Sequence, residues 1–310
     1  MTKRNHSGQD RRVFLKKTGF IFAGYAGEAF AWADASVPMG LELFTVRDLI
    51  AKDMEGTLAK VAQIGYKEVE PTTYGGLDAK QFRTVLDRFG LTAPSTHAGA
   101  TDGPDVEKQL EAFQVMGIKY TEIQPARVSV RGGGGTPQRP PVTEESVKRT
   151  ARQVNKRGDI AKRFGMKILI HNHANEFAPL GVGTLRPYDI LLAETDPALV
   201  AMQLDIGWAS VAGQNVIEMF RRNPGRYELW HVKDATAIKA MDPKLSMTER
   251  MRVAKLVPVG QGEIDYKSIF ANAGLAGMKH FAIEQDNAPD SGDSLGAAQA
   301  SYRGLKRMLS

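Results

Sequence analysis

The sequence predicts a (β/α)8 barrel. Three observations carry that prediction. Between about residues 40 and 308, short apolar or β-branched runs alternate with longer amphipathic runs, eight of each. Glycines punctuate the change from amphipathic to short runs at Gly65, Gly90, Gly117, Gly165 and Gly274. Histidines and carboxylates gather just after the short runs, where a barrel of this kind builds its active face. Alternating strands and helices over roughly 270 residues have the count and size of one closed parallel barrel.

Taken in order, the first strand is expected near Leu41–Val46, followed by a helix over Glu55–Ile64 that Gly65 ends. The second strand is Lys67–Glu70, with a helix over Ala79–Phe89. The third is Thr92–His97, with a helix over Asp105–Met116. The fourth is Tyr120–Gln124, and its helix, Thr143–Phe164, comes only after a long Gly/Pro-rich stretch. The fifth strand, Lys167–His173, precedes a helix near Tyr188–Glu194. Ala201–Ile206 and Val216–Arg222 form the sixth pair, Glu228–Lys233 and Tyr266–Ala273 the seventh. His280–Glu284 and Ser294–Met308 close the series. A glycine after an amphipathic run supplies the left-handed residue that commonly ends a helix.

A doubly wound sheet is the competing arrangement, but it usually carries a glycine-rich phosphate loop after its first strand. Here that strand runs Leu43-Phe44-Thr45-Val46-Arg47-Asp48, without glycine. The run Gly132–Gly135 lies in a Pro-rich stretch and no Lys-Ser/Thr follows it. Pro125–Pro141 therefore reads as an insertion on the catalytic face, either a lid or a surface loop.

Residues 1–35 read as an export signal and 36–310 as the barrel. Arg11-Arg12-Val13-Phe14-Leu15-Lys16 resembles a twin-arginine motif; an apolar run and Ala31-Trp32-Ala33, a small-x-small cleavage pattern, follow it. A periplasmic location is the expectation, with no stable membrane insertion, because the run is short and interrupted by Gly24, Gly27 and Glu28. The chain carries +6 at neutral pH. Residues 1–33 hold six basic and two acidic residues, a net +4, which leaves +2 for the rest. Nucleic acid as a partner loses its main support. No cysteine is present, so disulfides, thiolate ligands and a Cys nucleophile are excluded. The oligomeric state is left open.

Four of the six histidines fall at the expected C-terminal ends of strands three, five and seven: His97, His171, His173 and His231. "ILIHNHANEF" at 168–177 places His171 and His173 two apart, on one face if the strand persists. Asp205 and Glu284 add carboxylates at the ends of strands six and eight. A mixed imidazole and carboxylate set suits one divalent ion of Mn, Co, Zn or Fe. Lys233 follows His231 by two residues and is placed to steady an oxyanion. Glu70 and His97 are expected in substrate contact or acid/base work, and Trp208 as an aromatic face on which a substrate can stack. Arg47, at the first strand end, is a further substrate contact.

"GLELFTVRD" (40–48), "IGYKEVEPTTYGG" (64–76), "PSTHAG" (94–99), "IHNHANEF" (170–177), "QLDIGWASVAG" (203–213), "LWHVKDAT" (229–236), "PVGQGEIDYKSIF" (258–270) and "FAIEQD" (281–286) together resemble the sugar phosphate isomerase/epimerase family. These are xylose isomerase-like TIM barrels, and the resemblance covers 38–309. It implies one divalent metal held by Glu, Asp, His and Glu at the ends of strands five to eight. Asp205, His231 and Glu284 match the last three. His171 stands where the family has Glu, so it becomes the fourth ligand, or the role passes to His173 or Glu176. The His-Asn-His form is closer to the inosose dehydratase and 3-keto-glycoside lyase branches than to the epimerases.

The resemblance implies chemistry that starts with proton removal next to a carbonyl of an unphosphorylated sugar. Metal-dependent isomerisation or epimerisation is the leading expectation. Lyase or dehydratase chemistry is a near equal, and a non-catalytic sugar-binding protein is a third reading. A DNA-repair endonuclease on the same fold is disfavoured by the small net charge.

Overall fold

The computed structural model describes residues 37–124, 142–181 and 183–310. The expected export signal and the 125–141 insertion, with Arg127, Arg131, Arg139 and Gly132–Gly135, lie outside the described residues. Among the described residues no helix is long and apolar enough to cross a membrane.

Eight parallel strands form the predicted barrel. They are β1 (Gly40–Glu42), β2 (Glu68–Glu70), β3 (Ser95–Thr101), β4 (Tyr120–Gln124), β5 (Lys167–His171), β6 (Val200–Asp205) and β7 (Leu229–Val232), then, after a small hairpin, β10 (His280–Ile283). Their order is β2-β1-β10-β7-β6-β5-β4-β3. The ring is nearly closed by a parallel bridge between Glu68 and Thr92 and by the backbone bonds from Val69 N to Thr92 O and His97 N to Pro71 O. The hairpin, β8 (Asp234–Thr236) against β9 (Lys255–Val257), is antiparallel and was not anticipated from the sequence.

Most elements fall where the pattern placed them. Ala79–Phe89 and Val216–Arg222 form the expected helices. Two differences matter for the site. The first strand is only three residues long, because Leu43–Val46 turns into a 3-10 helix and Arg47–Ile50 into an α-helix. Strand β5 stops at His171, so His173 lies past the strand end in a turn. The last helical stop also differs: Gly274 lies inside the turn Ala273–Ala276, and Gly277, at φ 76°, ends it.

Two kinds of packing hold the ring. Outward-facing strand residues meet the helices in the main core, where Trp230 stacks on Phe220 with centroids 5.1 Å apart and meets Phe270 edge-on. Inside the barrel, Tyr120, Leu169, Ala201 and Leu229 form a small apolar cluster of their own. Alternation along each strand then puts Glu42, Glu70, His97, His171, Gln203, Asp205, His231 and Glu284 on the inner face toward the C-terminal rim. A barrel interior filled by branched apolar side chains is the usual case. Here its upper half is filled by ionisable groups instead.

Candidate metal centre

Four side chains from four successive barrel positions converge: His171 at the end of β5, Asp205 at the end of β6, His231 on β7 and Glu284 just past β10. One ligand atom from each lies within 4.8 Å of every other. His231 Nδ1 is 2.7 Å from Glu284 Oε2 and 3.9 Å from Asp205 Oδ2. His171 Nε2 is 3.4 Å from Asp205 Oδ2. All four atoms are shut from solvent, and none is in a hydrogen bond. The Lys233 ammonium stands in ion-pair range of the two carboxylate oxygens, but it leaves the two imidazole nitrogens unanswered. Buried polar atoms are nearly always paired, so their convergence on one point needs an explanation. A divalent cation at that point supplies it, because each atom can give a lone pair once His231 Nδ1 has released its proton. Two imidazoles and two carboxylates are the donor set of Zn, Mn, Co or Fe.

Local structure fixes each ligand. Asp205 is also a helix N-cap, its Oδ1 accepting the backbone N–H of Trp208 at 2.8 Å, which turns Oδ2 toward the Lys233 ammonium and the other three ligand atoms. Asn172, fully buried, ties β5 to β6: its Oδ1 accepts the Asp205 N–H and its Nδ2 donates to the Asp205 carbonyl. Gly207 is a glycine because a Cβ there would stand 2.5 Å from the Cβ of Lys233.

Electrostatics agree with the geometry. Burial, helped by neighbouring His231, pushes the His171 imidazole down to about 3, so it is neutral. Burial opposes the Glu284 charge, but Lys233 and His231 outweigh it and hold its carboxyl well below the usual range. Asp205 is likewise held low, against burial, chiefly by Lys233. Burial works against the His231 cation, but Glu284 and Glu70 raise its pKa well above an ordinary imidazole.

A second ligand-spaced group adjoins the first: Glu42, Glu70, His97 and His231. It is a different object. Glu70 is saturated, with Gln203 Nε2 donating to both oxygens at 2.9 and 2.8 Å and His231 Nε2 at 3.0 Å from Oε2. His97 Nε2 lies 2.8 Å from Gln203 Oε1 and 3.2 Å from Glu70 Oε1. Burial opposes a charge on His97, but Glu70 dominates and lifts its pKa to about 10. Glu42 is pushed well above the usual carboxylate range by burial and by Glu70 beside it.

The remaining expected site residues sort into three places. Lys233 is 1 % exposed and lies against the centre, its Nζ 3.1 Å from Asp205 Oδ2, 3.0 Å from Glu284 Oε2 and 2.8 Å from Asp286 Oδ1. His173 is exposed, its ring edge-on to His171 at 4.9 Å and 6.5 Å from that of Trp208. The two histidines therefore share one space as expected, though by a turn and not by strand alternation. Glu176 accepts the His173 backbone N–H at 2.8 Å and so shapes that turn. Arg47 is turned to the fold: its Nη1 donates to the carbonyls of Phe44 and Asp286, and its guanidinium covers the Phe44 ring. Trp208 is 7 % exposed, with the Lys233 ammonium 5.6 Å above its ring, and so packs as a wall of the centre.

The sequence reading missed Glu42, Gln203 and Asp286 as site residues. Each had a visible signal, since each lies two positions from, or in register with, a recognised residue on the same strand face: Gln203 before Asp205, Asp286 after Glu284, and Glu42 paired with Glu70.

The family profile described as Xylose isomerase-like TIM barrel matches residues 58–308. The chain belongs to that family. An inosose dehydratase of Geobacillus thermodenitrificans is 27% identical over 251 residues, covering 76% of this chain and 83% of the relative. A sugar phosphate isomerase/epimerase from Parabacteroides distasonis superposes with a TM-score of 0.66 at 18% identity, covering 89% of this chain and 96% of its own. The IOLI protein, in a structure with a binding zinc atom, gives 0.62 at 16% identity, covering 88% and 98%. Such neighbours share the fold at these identities. The expectation of a xylose isomerase-like barrel is borne out.

Proposed function

We propose that this protein is a metal-dependent enzyme that removes the proton beside the carbonyl of a keto-sugar or keto-cyclitol and then expels a β-hydroxyl, a dehydratase-type elimination. The observation that carries the metal-dependent part is the convergence of four buried ligand atoms, from His171, Asp205, His231 and Glu284, none of them in a hydrogen bond. Those residues would hold one divalent ion of Mn, Co, Zn or Fe. When bound, such an ion supplies Lewis acidity to a chelated carbonyl and hydroxyl, which acidifies the adjacent C–H.

The chain's own residues supply the rest. His173, exposed at the mouth and held in its turn by Glu176, takes the proton from carbon. The Lys233 ammonium, kept protonated against burial by Asp205, Glu284 and Asp286, faces the charge that develops on oxygen. His97, kept cationic by Glu70, gives its proton to the departing hydroxyl, which leaves as water. The elimination reading is favoured by His171. In a two-base epimerase the strand-five residue is a carboxylate base, and here that position holds an imidazole grouped with the candidate metal ligands. The resemblance to inosose dehydratases supports the same choice. Isomerisation or epimerisation is the second reading, favoured by Asp205, His231 and Glu284, which keep three of the four epimerase ligand positions.

The test is incubation of the metal-loaded protein with keto-sugars and keto-cyclitols in D₂O. Deuterium is expected at the carbon next to the carbonyl, with loss after chelation. An unsaturated product supports elimination, and an inverted centre or moved carbonyl supports the second reading. No exchange across the panel, with metal bound, would falsify carbonyl chemistry and favour a sugar-binding protein. An unphosphorylated carbohydrate substrate and export to the periplasm are part of the same proposal.

A further inference from the structure

We infer that Glu70 is the positioning residue of the metal centre, fixing both the ring orientation and the tautomer of His231. The inference rests on the metal-dependent reading above. Glu70 is 1 % exposed, and its oxygens are taken by Gln203 and His231. Its carboxylate only accepts, so the 3.0 Å contact with His231 Nε2 requires the proton to sit on Nε2. When the ring gives up its second proton to take a metal, Nδ1 is then the atom that holds the lone pair. Nδ1 is the very atom that stands within 2.7 Å of Glu284 Oε2 with no hydrogen bond of its own.

Gln203 locks the carboxylate in turn. Its Nε2 donates to both Glu70 oxygens, which stops the group rotating, and its Oε1 faces His97 Nε2 at 2.8 Å. Three strands thus act as one unit: β6 clamps Glu70 on β2, and Glu70 aims His231 on β7. A metal-ligating histidine usually gives its other N–H to such an acceptor, and loss of the acceptor typically weakens metal binding about 10- to 100-fold. The sequence reading put Glu70 in substrate contact or acid/base work. Its burial and its saturated oxygens assign it to the ligand behind the substrate instead.

The experiment uses the full chain loaded with ¹¹³Cd and carrying ¹⁵N-labelled histidine. Coupling of ¹¹³Cd to Nδ1 of His231, with the proton on Nε2, is expected; coupling to Nε2 would overturn the inference without any mutant. Glu70→Gln is isosteric but sets an NH₂ group against the Gln203 donors. Its Co²⁺ affinity, measured by chelator competition, is expected to fall about 10- to 100-fold, with the helix signal of the metal-free protein unchanged. Affinity equal to the parent chain would overturn the role of Glu70 alone. A parent chain that takes up no Co²⁺ at all would overturn the metal reading itself, and this inference with it.

Discussion

His171 Nε2 and Asp205 Oδ2 face each other across 3.4 Å, fully buried, and neither makes a hydrogen bond. Burial pushes the His171 pKa down to about 3, so the ring is neutral with a single N–H, and with that proton on Nδ1 the Nε2 lone pair faces the carboxylate. The Lys233 ammonium answers Asp205 Oδ2 at 3.1 Å, but His171 Nε2 is left with no hydrogen-bond partner, and a divalent ion between the two would satisfy it. His171→Ala, His231→Ala and Glu284→Gln should each reduce divalent-ion content from about one per chain to a small fraction, read by elemental analysis after dialysis. Uptake should also weaken as pH falls. The raised pKa of His231 means that binding at Nδ1 must displace a proton. Full retention of metal in all three variants would place the site elsewhere.

Lys233 brings a positive charge to two of the same ligand oxygens. Buried among Asp205, Glu284 and Asp286, it balances carboxylates that would otherwise repel one another. Lys233→Met should destabilise the chelated protein by about 3–5 kcal/mol, the usual cost of removing one partner from a buried ionic set. A divalent ion should then raise the unfolding temperature of the variant more than that of the parent, because the ion takes over the lost neutralisation. Equal shifts would show that Lys233 and the ion do not act on the same carboxylates.

How far the sequence revealed this site depends on which contacts are local. The eight strands and the candidate ligands at their ends were legible because strand alternation and glycine stops are short-range signals: Asp205, His231 and Glu284 each sit at the end of a readable strand. His171 was legible for the same reason, and the structure groups it with those three. Trp208 and Arg47 were expected in contact with substrate, whereas the structure packs Trp208 against Lys233 and bonds Arg47 to backbone carbonyls, because exposure is a tertiary property. What removes Arg47 from the mouth is a pair of carbonyls, one of them Asp286, 239 residues away. The β8–β9 hairpin was missed because Lys255–Val257 is a three-residue run whose partner is set by Asp234. That carboxylate accepts the backbone N–H groups of Gly260 and Gly262 at 2.9 and 3.0 Å. No periodicity announces such a contact.

Export is tested separately from the site. The proposal rests on Arg11-Arg12 followed by Phe14-Leu15-Lys16. Replacement of both arginines by lysine keeps the charge and removes the twin guanidinium pattern. Cell fractionation should then find the protein retained in the cytoplasm, uncleaved. Unchanged delivery to the periplasm would sink the twin-arginine reading and leave the barrel chemistry untouched.

The opposite end of the barrel carries a purely structural charge cluster, and it sets the last prediction. Glu228, just before β7, is 6 % exposed and receives Lys167 Nζ, Lys279 Nζ at 2.7 Å and Tyr120 OH at 3.0 Å. Burial opposes its charge, but the two ammonium groups and the phenol outweigh it, so its pKa is lowered. A depressed folded-state value gives stability that is present above the unfolded pKa, about 4.3, and is lost as pH falls through the folded value. Glu228→Gln keeps the size and removes the charge. It should cost about 1–3 kcal/mol at pH 7, the range for hydrogen bonds to a charged group. Lys279→Met should cost under about 1 kcal/mol, because that lysine is mostly exposed. The difference between parent and Glu228→Gln should shrink steadily in urea melts run from pH 7 toward pH 3, because the parent's Glu228 becomes neutral there too. A difference that stays constant with pH would mean that the carboxylate matters by shape and not by charge. Metal content should not move in either variant, since the cluster lies at the N-terminal face, across the Tyr120–Leu169–Ala201–Leu229 layer from the centre.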